Sequence, residues 1–116
     1  MKEFMLLIRA TGNPISTLSF SDQKKHIDKI GKFITSLHER GVLKTAQPFK
    51  VEGVMLSTKD GEMMEEPFEE SDDMLVGYYH IEVESMDEAL EIARSDPRFV
   101  DSDWTIELRP IMTLDL

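Results

Sequence analysis

Residues 4–8 read FMLLI, an unbroken apolar run close to the start of a 116-residue chain. A strand turns successive side chains to opposite faces, so a run without alternation needs cover on both faces. Whatever sheet this segment enters must therefore be covered from both sides at that strand. That requirement shapes the reading of every other segment.

Residues 75–83, LVGYYHIEV, are the clearest strand. Tyr79, Ile81 and Val83 share one face; Tyr78, His80 and Glu82 share the other. Between these two strands lies a helix capped by Ser21 or Asp22. Its apolar stripe is Ile27, Ile30, Ile34 and Leu37, with Phe33 beside it, and Lys24, Lys25, Lys29 and Lys32 lie on or near the other side. Arg40 and Gly41 close it, a cation and a C-terminal glycine where a helix end favours both. His26 and His38 ride on this helix, where a lone histidine is expected to be solvated or hydrogen-bonded rather than catalytic.

Residues 42–49 are expected to be an extended edge piece, with Pro48 marking an edge or a break. Residues 53–58 read as a strand, and Lys59-Asp60-Gly61-Glu62 as a hairpin turn. Met63 begins a short return strand, followed by a loop over residues 65–73 that contains Pro67. Ser85 caps a second helix, with Glu88 completing a capping box and Ala89, Leu90, Ile92 and Ala93 facing the core. Asp96-Pro97 ends it. The last strand covers residues 104–112, with Trp104, Ile106 and Leu108 on one face and Thr105, Glu107 and Arg109 on the other.

Strand, helix, two or three strands, helix, strand is an α+β order of the ferredoxin-like kind. It predicts one domain over residues 1–116, an antiparallel sheet with two helices on one face. Two helices leave the opposite face open, yet the first strand is apolar there. The simplest cover is the same face of a second copy, so a homodimer is expected.

Charge narrows the partners. The net charge is −10, and residues 60–73 supply eight acids and no bases, leaving 15 acids against 13 bases elsewhere. A near-neutral body with one acidic loop lacks the clustered Lys and Arg that nucleic acid requires. The acidic loop reads as a solvated, solubilising segment or as a weak cation site without calcium-loop spacing. The chain has no cysteine, which excludes disulfides and thiolate metal sites and fits a cytoplasmic location. The start, MKEFMLLIRATG, reads as a strand rather than a signal peptide, and no run approaches the roughly 18 apolar residues of a membrane span. No metal site, cofactor, nucleic-acid or membrane partner is expected.

Chemistry is expected on one sheet face. Tyr78, His80, Glu107 and Arg109 are candidates: His80 as acid or base beside a carboxylate, Arg109 holding an anionic group. The plainer reading is a structural polar network at a dimer interface. Tyr79, Phe68 and Trp104 could line a pocket between sheet and helices; Trp104 is expected in the core, and Phe68 is left open because it lies in a loop. No phosphate loop, His-Glu-x-x-His or Gly-x-Ser-x-Gly motif occurs.

Asp60-Gly61, Pro67-Phe68, Glu70, Gly77-Tyr78-Tyr79, Met86-Asp87-Glu88-Ala89-Leu90 and Glu107-x-Arg109-Pro110 occur in an order that closely resembles the YCII-related, or DGPF-domain, family. The opening FMLLI also looks like the start of that family, so the likeness spans nearly the whole chain. One departure stands out: Glu65-Glu66 occupies the place of the family's Asp-Gly. Loss of the glycine removes freedom for positive φ there, and any role of that Asp would fall to Glu65. The resemblance implies a dimeric α/β barrel, two ferredoxin-like sheets packed face to face; a small-molecule ligand is expected to meet Tyr78, Phe68, Glu65 and Glu70. It also implies enzymes with a His-Asp pair, which no two residues of this sequence mark out.

Overall fold

The structure, a computed structural model, describes residues 1–11, 18–50, 52–68, 73–101 and 103–114. Strand β1 (Lys2–Thr11) leads to helix α1 (Phe20–Glu39) and edge strand β2 (Leu43–Pro48). Strands β3 (Val54–Lys59) and β4 (Glu62–Pro67) form a separate hairpin. Strand β5 (Asp73–Val83), helices α2 (Met86–Arg94) and α3 (Arg98–Asp101), and strand β6 (Thr105–Pro110) complete the fold. The four-stranded sheet has the order β2-β5-β1-β6, antiparallel throughout. This is the expected ferredoxin-like α+β arrangement, with the β3–β4 hairpin inserted between its second and third sheet strands.

β1 sits inside the sheet between β5 and β6. Phe4, Leu6, Ile8 and Ala10 point to the helices and are buried together with Tyr79, Ile81 and Val83 of β5. Leu37 of α1 and Ala89, Ile92 and Ala93 of α2 close this core from above. The alternation read for β5 is observed. Gly77 of that strand has a backbone reason: a Cβ there would lie 2.9 Å from the carbonyl oxygen of Gln47 on β2.

Several boundaries move. α1 starts two residues early because Ser19 is the cap, its Oγ accepting from the Asp22 amide at 3.1 Å. The expected stripe holds at Phe33, Ile34 and Leu37, which pack on the core, but not at Ile27. His26 faces the core at 3% exposure, whereas Ile27 is 59% exposed. The buried histidine stacks on Trp104 at 5.8 Å, so an aromatic partner replaces the aliphatic contact that periodicity favours. Trp104 packs against the core as expected, but just ahead of β6, and Met112 lies beyond that strand and is exposed. Residues 65–67 belong to β4 rather than to a loop, because the Asp60-Gly61 turn carries the ladder on to Val54↔Pro67. Both turn residues have positive φ, 52° and 82°, the requirement of a tight hairpin turn with the twist of its strands. The remaining acidic-loop residues Glu69, Glu70 and Asp72 lie outside the described residues.

The exposure of Ile27 gives a direct prediction. Ile81→Ala, at a fully buried site, lowers the unfolding free energy by about 3 kcal/mol in urea titration. Ile27→Ala lowers it by less than about 0.5 kcal/mol, because its side chain loses little burial. Comparable losses for both would place Ile27 back in the core.

Candidate functional site

The face of the sheet without helices carries the candidate chemistry. On β5, Tyr78, His80 and Glu82 point to it; on β1, Glu3, Met5, Leu7 and Arg9 do so. Met5 stands opposite His80, and Leu7 opposite Tyr78. On the other side of β1, Met5 stands opposite Arg109 and Leu7 opposite Glu107. An apolar strip, Met5 and Leu7, therefore separates the charged groups of β5 from those of β6.

His80 finds its carboxylate on β1, not on β6. Its Nε2 lies 3.0 Å from Oε1 of Glu3. Lys44 Nζ lies 3.2 Å from the same oxygen and 3.1 Å from Oε2 of Glu82. Lys44 reaches this face because β2 slips register between Leu43 and Thr45. The extra residue lets Lys44 and Thr45, neighbours in sequence, both serve one face. Thr45 Oγ1 lies 3.3 Å from the Tyr78 hydroxyl.

The Lys44 ammonium, and then the hydrogen bond with His80, hold the Glu3 carboxyl below its ordinary range. Glu82 and then Glu3 hold Lys44 above the ordinary lysine range. Glu3 is thus ionised at neutral pH and accepts only. The imidazole must donate from Nε2, and in its neutral form this leaves the lone pair on Nδ1. The pair Glu3–His80 has the form of a base oriented by a carboxylate.

Arg9, Glu107 and Arg109 form a second group. Arg9 Nε donates to Glu107 Oε1 at 3.4 Å, and Arg109 lies 3.7 Å from Glu107 Oε2. The structure thus divides the candidates: His80 with Tyr78 on β5, Glu107 with Arg109 on β6. Glu107 is the partner of Arg9 instead of His80, because β1 intervenes in the sheet order.

Phe68 borders a cleft of about 820 Å3 at the root of the hairpin, with Phe49, Met55, Leu75, Arg9 and Lys50 among its walls. Gly53 leaves the room Phe68 occupies, since a Cβ there would fall 2.6 Å from its ring. Phe49 also packs on Tyr78, ring centres 5.8 Å apart, so Tyr78 joins the cleft to the face that bears His80. Glu65 is exposed on β4, opposite Leu56, and belongs to neither charged group. Glu70 lies outside the described residues. Among the described residues no three His, Asp or Glu side chains converge as a metal site would require, and no helix there is long and apolar enough to cross a membrane.

Sequence reasoning missed Glu3 and Lys44. Glu3 was legible as an acid two positions before Met5 on the same strand face, but its partner depends on which strands flank β1. It also missed a cluster on the helix-covered side of the sheet. Asp96 is buried and accepts from Arg98 NH1 at 2.9 Å; the same guanidinium donates to the Tyr79 hydroxyl at 2.6 Å. Burial pushes the Tyr79 phenol up, with Arg98 opposing. This cluster ties α3 to β5. It also places Tyr79 in the core, out of reach of the cleft beside Phe68.

The fold and its open face define the chain as a ferredoxin-like α+β protein carrying a carboxylate-oriented histidine on a helix-free sheet face. It belongs to the YCII-related family, whose domain profile matches residues 3–114. No curated protein matches the chain.

The ionic group gives a prediction with a definite sign. A carboxyl whose folded pKa lies below its unfolded value adds stability above the unfolded pKa, and that stability is lost as pH falls through the folded value. Lys44→Met removes the largest cause of the Glu3 shift. The Glu3 carboxyl resonance, followed by carbon NMR from neutral to acid pH, then titrates at higher pH than in the parent protein. An unchanged titration would show that Lys44 does not hold Glu3.

Proposed function

We propose that the protein is a small-molecule enzyme or ligand-binding domain in which His80 is the acid–base residue and Glu3 its orienting carboxylate. The observation that carries this reading is the 3.0 Å contact between His80 Nε2 and Glu3 Oε1 on a face that no helix covers. It leaves Nδ1 as the nitrogen for proton transfer. Tyr78 adds a hydroxyl next to His80 on the face, and the aromatic cleft at Phe68 supplies an apolar seat for the rest of a ligand. Arg9 at the cleft wall and Arg109 on β6 are the cations for an anionic group. No cofactor is invoked, and the reaction class is proton transfer at a positioned substrate.

The same face is the proposed homodimer interface. Met5 and Leu7 are apolar on a side where the fold provides no second layer, and two such faces together make the barrel that the family resemblance implies. Absence of cysteine and the near-neutral body fit a cytoplasmic protein without nucleic-acid or membrane partners. One observation favours a second reading, a non-catalytic dimeric interaction or regulatory module. Glu3, Lys44, Glu82 and His80 satisfy one another, as an interface network does.

Thermal-shift screening against metabolites and divalent metals separates these readings. A ligand at about a hundred times its Kd adds about 2.7 kcal/mol of stability. His80→Gln then removes about 100-fold or more of the turnover of that ligand while the unliganded protein keeps its Tm. Full turnover in His80→Gln, or a broad library without a stabilising compound, favours the interaction module.

A further inference from the structure

The cleft beside Phe68 carries more charge than an apolar seat requires. Its volume, about 820 Å3, lies within the range of small-molecule pockets. Phe49, Met55, Phe68 and Leu75 supply its apolar lining. Phe49 is 45% and Met55 59% exposed, so apolar atoms face water within a concavity. Two rings and a thioether around one cleft suit an aromatic guest, which gains ring and sulfur contacts beyond its buried area.

Arg9, Lys50, Glu52 and Asp73 line the same cleft, two cations and two carboxylates whose charges cancel. They do not pair with one another. Arg9 meets Glu107 at 3.4 Å, longer than the roughly 2.8 Å of a strong charge-assisted hydrogen bond. Among the described residues, Lys50, Glu52 and Asp73 form no ion pair. Opposite charges held apart around one cleft complement a ligand that bears both.

Strand pairing sets their spacing. β5 carries an extra residue at Val76, so Ile8 stands opposite Gly77 and Arg9 opposite Leu75. A bulge of this kind re-aims the side chains beyond it. Leu75 and Asp73 turn to the helix-free side, and Met74 between them is buried. Thr11 stands opposite Asp73, so Arg9 and Asp73 are diagonal neighbours on one face, about 7 Å apart. An ammonium nitrogen and a carboxylate carbon on one Cα are about 2.5 Å apart. With a hydrogen bond of about 2.8 Å at each end, that pair spans the diagonal. Lys50 adjoins it: the Phe49 amide donates to the Val76 carbonyl at 2.9 Å, so the chain lies against β5 where Lys50 follows.

The charge of the whole chain disfavours a simple anion. Its net charge is −10, and residues 60–73 hold eight acids and no bases. Such a field repels an anionic ligand but not a zwitterion without net charge.

We propose that the cleft binds a free aromatic amino acid. Its carboxylate lies toward Arg9 and Lys50, its ammonium toward Asp73, and its ring against Phe49 and Phe68. The proposal rests on the ligand-binding reading of this face and names its ligand class. It does not require His80 to be catalytic.

Amide proton–nitrogen NMR titration of the full chain with phenylalanine, hydrocinnamate and phenethylamine tests it. The second probe lacks the ammonium and the third lacks the carboxylate. Phenylalanine shifts the amides of Phe49, Lys50, Asp73 and Leu75, and each truncated probe binds at least about tenfold more weakly. Asp73→Asn weakens phenylalanine about tenfold and leaves hydrocinnamate no weaker. Lys50→Met weakens phenylalanine at least about threefold and leaves phenethylamine no weaker. Both side chains lie at the surface, and far-UV circular dichroism shows the parent fold in both variants. Hydrocinnamate or phenethylamine binding as tightly as phenylalanine overturns the zwitterion, as does phenylalanine binding unaltered by Asp73→Asn. Phenylalanine shifts confined to other residues overturn the cleft. If none of the three probes binds but a library compound stabilises the protein, the amino-acid class alone falls. If no compound stabilises it either, the ligand-binding reading falls too.

Discussion

The structure depends on one strand that is apolar on both faces. β1 lies between β5 and β6, so its backbone is hydrogen-bonded on both edges. Phe4, Leu6 and Ile8 enter the helix-covered core, and Met5 and Leu7 are left on the other side. Burial of the first set is what the two long helices accomplish. The second set creates an apolar strip on a face that also carries Glu3, Arg9, Tyr78, His80, Glu82, Glu107 and Arg109. Core and candidate site are thus two consequences of the same run of residues, FMLLI.

That strip also decides the electrostatics. By separating β5 from β6 it keeps His80 from Glu107 and leaves each to find a partner on β1: Glu3 for His80, Arg9 for Glu107. Lys44 then completes the first group through the irregular pairing of β2. A histidine held by an ionised carboxylate on a sheet face is a usable acid–base element. A second arginine–carboxylate group about one strand away suits an anionic substituent. The aromatic cleft at Phe68 meets this face through the contact of Phe49 with Tyr78.

Much of the fold was legible because its signals are local. The alternation of residues 75–83, the Ser85 cap with Glu88, the Asp60-Gly61 turn and the edge character of Pro48 each follow from chemistry within a few residues. What failed was non-local. His26 took the core position that periodicity gave to Ile27, because the ring of Trp104, far along the chain, was waiting for it. Glu65 and Glu66 looked like loop acids, yet the hairpin ladder extends through them. The site residues on β5 and β6 were recognised singly, but their partners required the strand order. Glu3 and Lys44 become visible only once β1 is known to run beside β5 and β2 to slip by one residue.

The central claim is that Glu3 fixes the imidazole of His80 with its proton on Nε2, leaving Nδ1 for chemistry. The most direct measurement is the long-range proton–nitrogen correlation spectrum of the His80 ring, recorded above the pH at which the imidazole loses its second proton. The parent protein is expected to show an Nε2–H tautomer, with the bare-nitrogen shift on Nδ1, and Glu3→Gln a mixture of tautomers. An Nδ1–H tautomer in the parent, or a spectrum unchanged by Glu3→Gln, would contradict it.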